Sequence, residues 1–194
     1  MKGKLVKDSL HLSHIIVLTH SNMKNYIFKI LLTGNGGVGK TSLLRRYVDG
    51  FFDESTIMTV GVDFFTKELT FDNARCLIQL WDLGGQERFR YLLENFVMGA
   101  RAALLLIDLT RMPLIKDILE WVNIARLHDI NLPILLVGTK IDLEDLIAVD
   151  DDSALHLKNT FNMIDYIKTS AKTGYNVEKV FEILIKNLVD ISKY

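Results

Sequence analysis

The sequence predicts an α/β fold: a six-stranded, mainly parallel sheet with one antiparallel edge strand and helices on both faces. Apolar, β-prone runs alternate with segments whose apolar residues recur at helical spacing, which is the pattern of βα units. Two of these runs, 102–108 and 133–139, are apolar almost throughout, as expected of strands buried on both faces of a parallel sheet. The pair Asp72-Asn73 joins two further runs as a hairpin, which supplies the antiparallel strand.

The elements follow in chain order from the same two patterns. Strands are predicted at the β-prone runs 26–33, 60–71, 75–81, 102–108, 133–139 and 164–169. Helices are predicted at the periodic segments 42–48, 88–98, 114–128, 152–160 and 176–191. The predicted buried stripe of the third helix consists of Leu114, Ile115, Ile118, Leu119 and Val122. That of the last helix consists of Val177, Val180, Phe181, Leu184, Ile185 and Leu188.

Composition limits the classes of protein to which this chain can belong. Its 194 residues, 49% of them hydrophobic, suit one domain with one substantial core. The net charge of −1 gives no electrostatic reason to expect nucleic acid as a partner. A single cysteine excludes an internal disulfide and fits a reducing cytosol, and no apolar run is long enough for a transmembrane helix. We expect residues 1–22, before Met23, to be a flexible N-terminal extension.

The segment 34–41, Gly-Asn-Gly-Gly-Val-Gly-Lys-Thr, has the spacing of a phosphate-binding loop. Its glycines let the backbone curl so that several N–H groups point at one anion. Lys40 is expected to supply positive charge to the β and γ phosphates, and the hydroxyl of Thr41 to bind Mg²⁺. The β-prone run before this loop and the helical run that starts at Ser42 are the context that such a loop requires.

A second group of candidate residues follows the strand at 75–81. Asp82 is placed to hold Mg²⁺, although an aspartate at a strand end is also a common helix cap. Gly85 can offer a backbone N–H to the γ-phosphate. Gln86 can orient an attacking water, because its side-chain amide both donates and accepts hydrogen bonds.

Two further segments lie where later strands end. In the segment 139–142, Lys140 is placed to pack against a base and Asp142 to accept hydrogen bonds from the N1/N2 edge of guanine. The same four residues also suit an ordinary strand-to-helix turn. After the next strand, the segment 169–173 forms a tight turn in which the N–H of Ala171 can meet the guanine O6.

These motifs, in this order, resemble those of Ras-superfamily small GTPases over about residues 26–191, most closely the Rab family. Residues 60–64, 77–81 and 86–90 resemble segments that mark Rab proteins. The resemblance implies a P-loop NTPase fold and a GTPase domain over 23–194. It also implies that Thr59, in a mobile loop, closes on Mg²⁺ and the γ-phosphate, and that Phe52 covers the edge of the guanine ring.

The predicted site is the sum of these assignments. The nucleotide-binding residues are Gly34, Asn35, Gly36, Gly37, Val38, Gly39, Lys40, Thr41, Ser42, Phe52, Thr59, Gly85, Thr139, Lys140, Asp142, Ser170, Ala171 and Lys172. The metal ligands are Thr41, Thr59 and Asp82, and the catalytic residues are Gln86 and Lys40.

The chain also departs from the family pattern. Residues 82–86 read Asp-Leu-Gly-Gly-Gln, which resembles Arf-type sequences, and Thr139 stands where the family usually has asparagine. Thr56 occupies the position at which the family often has tyrosine, three residues before Thr59. The C-terminus has no cysteine for prenylation. This combination suggests a prokaryotic or archaeal source.

The resemblance implies a molecular switch with GTP/GDP and Mg²⁺ as cofactors, which hydrolyses GTP slowly. Effectors, exchange factors and GTPase-activating proteins are expected to contact residues 51–65 and 83–97. There, Phe64, Trp81 and Phe96 form either an effector surface or part of the core. We expect a cytoplasmic monomer without a lipid anchor of its own. Two alternatives are a P-loop enzyme that acts on ATP, such as a small-molecule kinase, and a nucleotide-binding scaffold that does not hydrolyse.

Overall fold

The computed structural model describes residues 23–55, 59–86 and 93–193, and it confirms the predicted fold class. A six-stranded sheet has the strand order β2-β3-β1-β4-β5-β6. The strands are β1 (Lys24–Thr33), β2 (Val62–Phe71), β3 (Ala74–Leu83), β4 (Ala102–Asp108), β5 (Ile134–Thr139) and β6 (Asp165–Lys168). The helices are α1 (Lys40–Asp49), α2 (Glu94–Val97), α3 (Ile115–Ala125), α4 (Asp151–Thr160) and α5 (Val177–Ile191), with a 3₁₀ turn at Glu144–Leu146.

The sheet is parallel except at one edge. Strand β1 pairs in parallel with β3 and β4, and β4 and β6 both pair in parallel with β5. Strand β2 pairs antiparallel with β3 along its whole length. The hairpin between them turns at Asp72 and Asn73, which have φ values of 45° and 61°, the left-handed backbone that a tight two-residue hairpin turn requires.

Helices cover both faces of the sheet, each over its own apolar cluster. Alternate residues of one strand point to opposite faces, so that Ile30 and Leu32 join one cluster and Leu31 joins the other. Helices α1 and α5 pack on the first face, where the rings of Tyr47 and Phe181 stack with centroids 3.7 Å apart. Helices α2, α3 and α4 pack on the second face. All six residues predicted as the buried stripe of α5 are buried.

The predicted buried stripe of α3 is wrong in part. Leu114, Ile115 and Leu119 are exposed, whereas Ile118, Trp121, Val122 and Ala125 face the core. These four residues recur at the i, i+3, i+4, i+7 spacing of a single helix face, which is narrower than the predicted stripe. The indole Nε1 of Trp121 donates to the Asn35 side-chain Oδ1 at 2.8 Å, which ties this face to the loop after β1.

Some predictions fall on residues outside the described part of the chain. The N-terminal extension at 1–22 stays a prediction for this reason, and so does any role of Thr56. Of the helix predicted at 88–98, the described residues show only α2, Glu94–Val97. Among the described residues, no helix combines the length and the apolar character needed to cross a bilayer.

Candidate nucleotide site

A cavity of about 340 Å³ opens at the carboxyl ends of the parallel strands, the edge at which ligands bind in open α/β sheets. Most of the predicted site residues line it: Gly36, Gly37, Gly39, Lys40, Thr41, Ser42, Phe52, Thr59, Gly85, Gln86, Lys140, Asp142, Ala171 and Lys172. Asp53, Glu54 and Leu143 also line it, although the sequence motifs do not single them out. The structure therefore gathers segments from across the chain around one space.

The loop between β1 and α1 forms one end of the cavity. The buried ammonium of Lys40 donates to the backbone oxygens of Gly34 and Asn35 at 2.8 and 3.1 Å, which holds the loop in a tight curl. Gly34 has a φ of 130°, and a Cβ atom there would lie 2.5 Å from the Leu106 carbonyl oxygen, so only glycine fits. Helix α1 begins at Lys40, and the residues of its first turn, Lys40, Thr41 and Ser42, line the cavity, so the helix N-terminus faces this space.

Three predicted metal ligands lie together beside this loop. The Thr41 hydroxyl donates to Asp82 Oδ2 at 2.5 Å, and the hydroxyl oxygens of Thr41 and Thr59 are 2.8 Å apart. Thr59 Oγ1 also lies 3.2 Å from Asp82 Oδ2. The structure thus brings together one oxygen ligand from each of three separate segments.

The Asp82 carboxyl has the properties of a cation ligand. It is fully buried, and within the described residues its Oδ1 atom has no hydrogen-bond partner. Burial raises the pKa of Asp82, because a charged carboxylate is poorly solvated there, and this effect outweighs the opposing effects of the Thr41 and Thr59 hydroxyls and the Lys40 charge. Hard cations such as Mg²⁺ prefer hydroxyl and carboxylate oxygens, so the residues present fit this ion.

The glycine pair after Asp82 permits very close contact between loops. Gly84 N donates to Gly61 O at 2.8 Å, and a Cβ atom on Gly84 would lie 2.6 Å from that oxygen. A Cβ atom on Gly85 would lie 2.5 Å from the carbonyl carbon of Asn35 in the phosphate loop. Residues 84–85 therefore pack directly against both neighbouring loops, and alanine would fit at neither position without a backbone shift.

The other end of the cavity is built from the segments after β5 and β6. Asp142 Oδ1 accepts a hydrogen bond from the Ser170 hydroxyl at 2.5 Å, which orients the carboxylate. Lys140 has a φ of 63°, and its ammonium donates to Asp108 Oδ2 at 2.8 Å. Three donors, Lys140 and the N–H and hydroxyl of Thr110, together lower the Asp108 pKa against the opposing effect of burial.

Five predicted nucleotide-binding residues are not on the wall of this cavity: Gly34, Asn35, Val38, Thr139 and Ser170. The buried hydroxyl of Thr139 lies 2.7 Å from the Val38 carbonyl oxygen and 3.0 Å from that of Ile107. The Asn35 amide donates to Asp117 Oδ2 at 2.7 Å. These side chains support the loops that line the cavity.

The sequence profile of the Ras family matches residues 29–190. The chain belongs to the Ras family. It is 40% identical over 168 residues to the Ras-related protein Rab-1 of Theileria parva, an alignment that covers 86% of this chain and 76% of that protein. It is 35% identical over 166 residues to human Ras-related protein Rab-19, with 85% and 76% covered. It is 39% identical over 158 residues to Ras-related protein YPT3 of Nicotiana plumbaginifolia, with 81% and 72% covered.

Membership of the Ras family makes this chain a Rab-like small GTPase with a P-loop NTPase fold. The predicted family and enzyme class are therefore confirmed. The family binds guanine nucleotide, and the cavity of about 340 Å³ is the candidate place for it in this chain. The individual roles of the site residues stay predictions.

Phe64, Trp81 and Phe96, the aromatic residues assigned from the sequence to either an effector surface or the core, contact one another in a row. The ring centroids of Phe64 and Trp81 are 6.1 Å apart, and those of Trp81 and Phe96 are 6.3 Å apart. Phe64 is 65% exposed and Phe96 39%, whereas Trp81 is partly buried with the Lys29 ammonium 3.9 Å from its ring centre. The two outer rings thus face solvent.

Proposed function

We propose that this GTPase is a molecular switch in which bound GTP and Mg²⁺ hold two loops, about 51–60 and 83–92, in an ordered state. The observation that carries the proposal is the meeting of Thr41, Thr59 and Asp82. Thr59 belongs to one of these loops, and the second loop begins directly after Asp82. A ligand that engages all three residues would join both loops to the phosphate site. Loss of the γ-phosphate would release them.

The residues present support hydrolysis in the following way. Thr41, Thr59 and Asp82 would hold Mg²⁺, which when bound offsets the negative charge that develops on the phosphates. Lys40 contributes a second positive charge, and Gln86, on the cavity wall, orients a water molecule toward the γ-phosphorus. The water oxygen forms a bond to the γ-phosphorus while the bond between this phosphorus and the β–γ bridging oxygen breaks. The water's protons pass to phosphate and solvent, and the products are GDP and phosphate.

Selectivity for guanine would come from the end of the cavity that contains Asp142. Asp142, held by Ser170, presents a carboxylate that suits the paired N–H donors on the guanine N1/N2 edge. Adenine has no donor there and would leave the carboxylate desolvated and unpaired. Isothermal titration calorimetry with GTP and ATP in Mg²⁺ buffer tests this proposal. We expect GTP to bind at least about 10⁴-fold more tightly; equal affinities would favour an ATP-dependent enzyme instead.

We also propose that effectors, exchange factors and GTPase-activating proteins bind through residues 51–65 and 83–97, and that the protein acts as a monomer in the cytoplasm. The exposed rings of Phe64, in the strand that follows Thr59, and of Phe96, in α2, support this surface. A binding partner that contacts them can sense whether the two loops are ordered. Its affinity should therefore differ between the GTP-bound and GDP-bound protein.

A further inference from the structure

Asp108, at the end of β4, is a buried carboxylate that two cationic side chains share. Its Oδ1 atom accepts from the N–H and hydroxyl of Thr110 at 3.0 and 2.7 Å. Its Oδ2 atom lies 2.8 Å from the Lys140 ammonium and 3.2 Å from the Arg111 Nε. Because the carboxylate is only 4% exposed and fully engaged, it fixes the direction in which Arg111 leaves the chain.

The other end of the Arg111 guanidinium reaches the phosphate loop. Its Nη2 atom donates to the carbonyl oxygen of Gly36 at 3.2 Å. A Cβ atom built on Gly37 would lie 3.7 Å from the same nitrogen. Arg111 does not line the main cavity but lies on the outer side of the loop, beside a second cavity of about 300 Å³ next to α3.

The contact with Gly36 has a consequence for the opposite side of the loop. The Gly36 carbonyl and the Gly37 N–H belong to one planar trans peptide, so they point in opposite directions. A cationic donor that holds the carbonyl outward therefore directs the N–H inward, toward the cavity that both glycines line. The charge on the donor also polarises the peptide, which strengthens the N–H as a donor to an anion.

We propose that Arg111 is a positioning residue for the nucleotide phosphates, acting through the Gly36–Gly37 peptide. This inference rests on the proposed binding of guanine nucleotide. Asp108 holds Arg111 at the phosphate end of the cavity and Lys140 at the base end, so one buried carboxylate serves both ends. The guanidinium suits this role because its donors lie on separate nitrogens of a planar fork, so that Nε meets the carboxylate while Nη2 meets the carbonyl.

The test compares Arg111→Ala and Arg111→Lys with wild type in the dissociation of a fluorescent GDP analogue. Arg46→Ala is the matched control, since Arg46 is a partly exposed arginine that also donates to a glycine carbonyl, that of Gly50 at 3.1 Å, and does not line the cavity. We expect Arg111→Ala to release the analogue about three- to ten-fold faster, because a charge-assisted but half-exposed hydrogen bond is lost. Arg111→Lys should fall between Arg111→Ala and wild type, and Arg46→Ala should match wild type.

A second readout separates positioning from general destabilisation. In ¹⁵N-labelled protein with GDP bound, the amide resonance of Gly37 should shift in Arg111→Ala and stay unchanged in Arg46→Ala. Release rates equal to wild type in Arg111→Ala, or an unchanged Gly37 resonance, would overturn the inference. The wild-type measurement is independent of this outcome, because failure of the wild-type protein to bind the GDP analogue would overturn the proposed function itself.

Discussion

The hydroxyl oxygen of Thr59 lies 2.8 Å from that of Thr41, although 18 residues separate them in the chain. Both hydroxyls also lie within hydrogen-bond distance of Asp82 Oδ2. The other oxygen of this carboxylate, Oδ1, is buried and has no hydrogen bond within the described residues. Thr41 lies in helix α1, whereas Thr59 lies outside the helices and strands, shortly before β2. The pair therefore joins the start of a helix to a separate segment of the chain.

This relationship predicts that Thr59 distinguishes GTP from GDP. Thr59→Ala should weaken binding of a non-hydrolysable GTP analogue in Mg²⁺ by about ten-fold, the loss expected for one contact to a charged group. Binding of GDP should change much less, because Thr59 is expected to act on Mg²⁺ and the γ-phosphate together. Titration calorimetry of both ligands measures the difference. Thr59→Ser, which keeps the hydroxyl, is the control, and equal losses for the two ligands in Thr59→Ala would contradict this role.

Substitution of Asp142 is expected to change the base that the site prefers. Asp142→Asn replaces a pure acceptor with a group that both donates and accepts, so GTP affinity should fall. Xanthosine triphosphate should gain, because it has a carbonyl where guanine has its amino group. Ser170 and Lys140 are unchanged in the variant, so the comparison isolates the base edge. If the variant showed no swing toward xanthine, the segment 139–142 would be an ordinary turn.

The edge of the cavity carries an ion pair that no motif predicts. Lys172 Nζ lies 3.0 Å from Glu54 Oε1, which joins the segment after β6 to the segment that contains Phe52. Glu54 raises the Lys172 pKa by its hydrogen bond and its charge. Both side chains are exposed, so the contact is screened by solvent.

We expect Glu54→Gln to speed GDP release only about two-fold, and less at high salt. The control is Asp151→Asn, which breaks the exposed pair of Lys168 and Asp151 at 2.8 Å, away from the cavity. Stopped-flow release of a fluorescent GDP analogue at low and high salt measures the effect. If the rate of GDP release from the wild-type protein does not depend on salt, this ion pair does not contribute to nucleotide retention.

The start of α3 offers a test of stability that is independent of nucleotide chemistry. Leu114 occupies the N-cap position, makes no side-chain cap and is 57% exposed. Leu114→Ser should stabilise the protein by about 1 kcal/mol, because a serine hydroxyl at the N-cap can accept a hydrogen bond from a backbone N–H of the first turn, which leucine cannot do. Leu119→Ser, an exposed leucine within the same helix, lacks such a donor and should give no gain. Thermal unfolding of both variants with GDP bound compares them.

The success of the sequence predictions depended on how local each signal was. The stripe of α5 and the turn at Asp72-Asn73 are set by neighbouring residues, and both were predicted correctly. The gathering of Thr41 and Asp82 follows from strand order, since carboxyl ends of parallel strands meet at one edge. The link between Arg111 and the Gly36 carbonyl was missed, because the two residues are 75 positions apart and no local pattern reports their contact.

The buried face of α3 was predicted incorrectly in part for a similar reason. Its sequence offers apolar residues on more than one face, and the face that is buried is the one on which Trp121 reaches Asn35. Nothing local to the helix reports that contact, which joins residues 86 positions apart. Long-range polar contacts of this kind became visible only in the structure.

Single-turnover hydrolysis of GTP in Mg²⁺, followed by phosphate release, tests the central claim most directly. Gα proteins carry a cis arginine three residues before the mobile threonine, and Thr56 stands at that position here. The unassisted rate should therefore be slow, on the order of 10⁻⁴ to 10⁻³ s⁻¹, as in Ras. Gln86→Leu should still bind GTP but hydrolyse it more slowly, and partner-stimulated hydrolysis should fall strongly. Retention of intact GTP by the wild-type protein, or hydrolysis of ATP at the same rate as GTP, would contradict a GTP-hydrolysing switch.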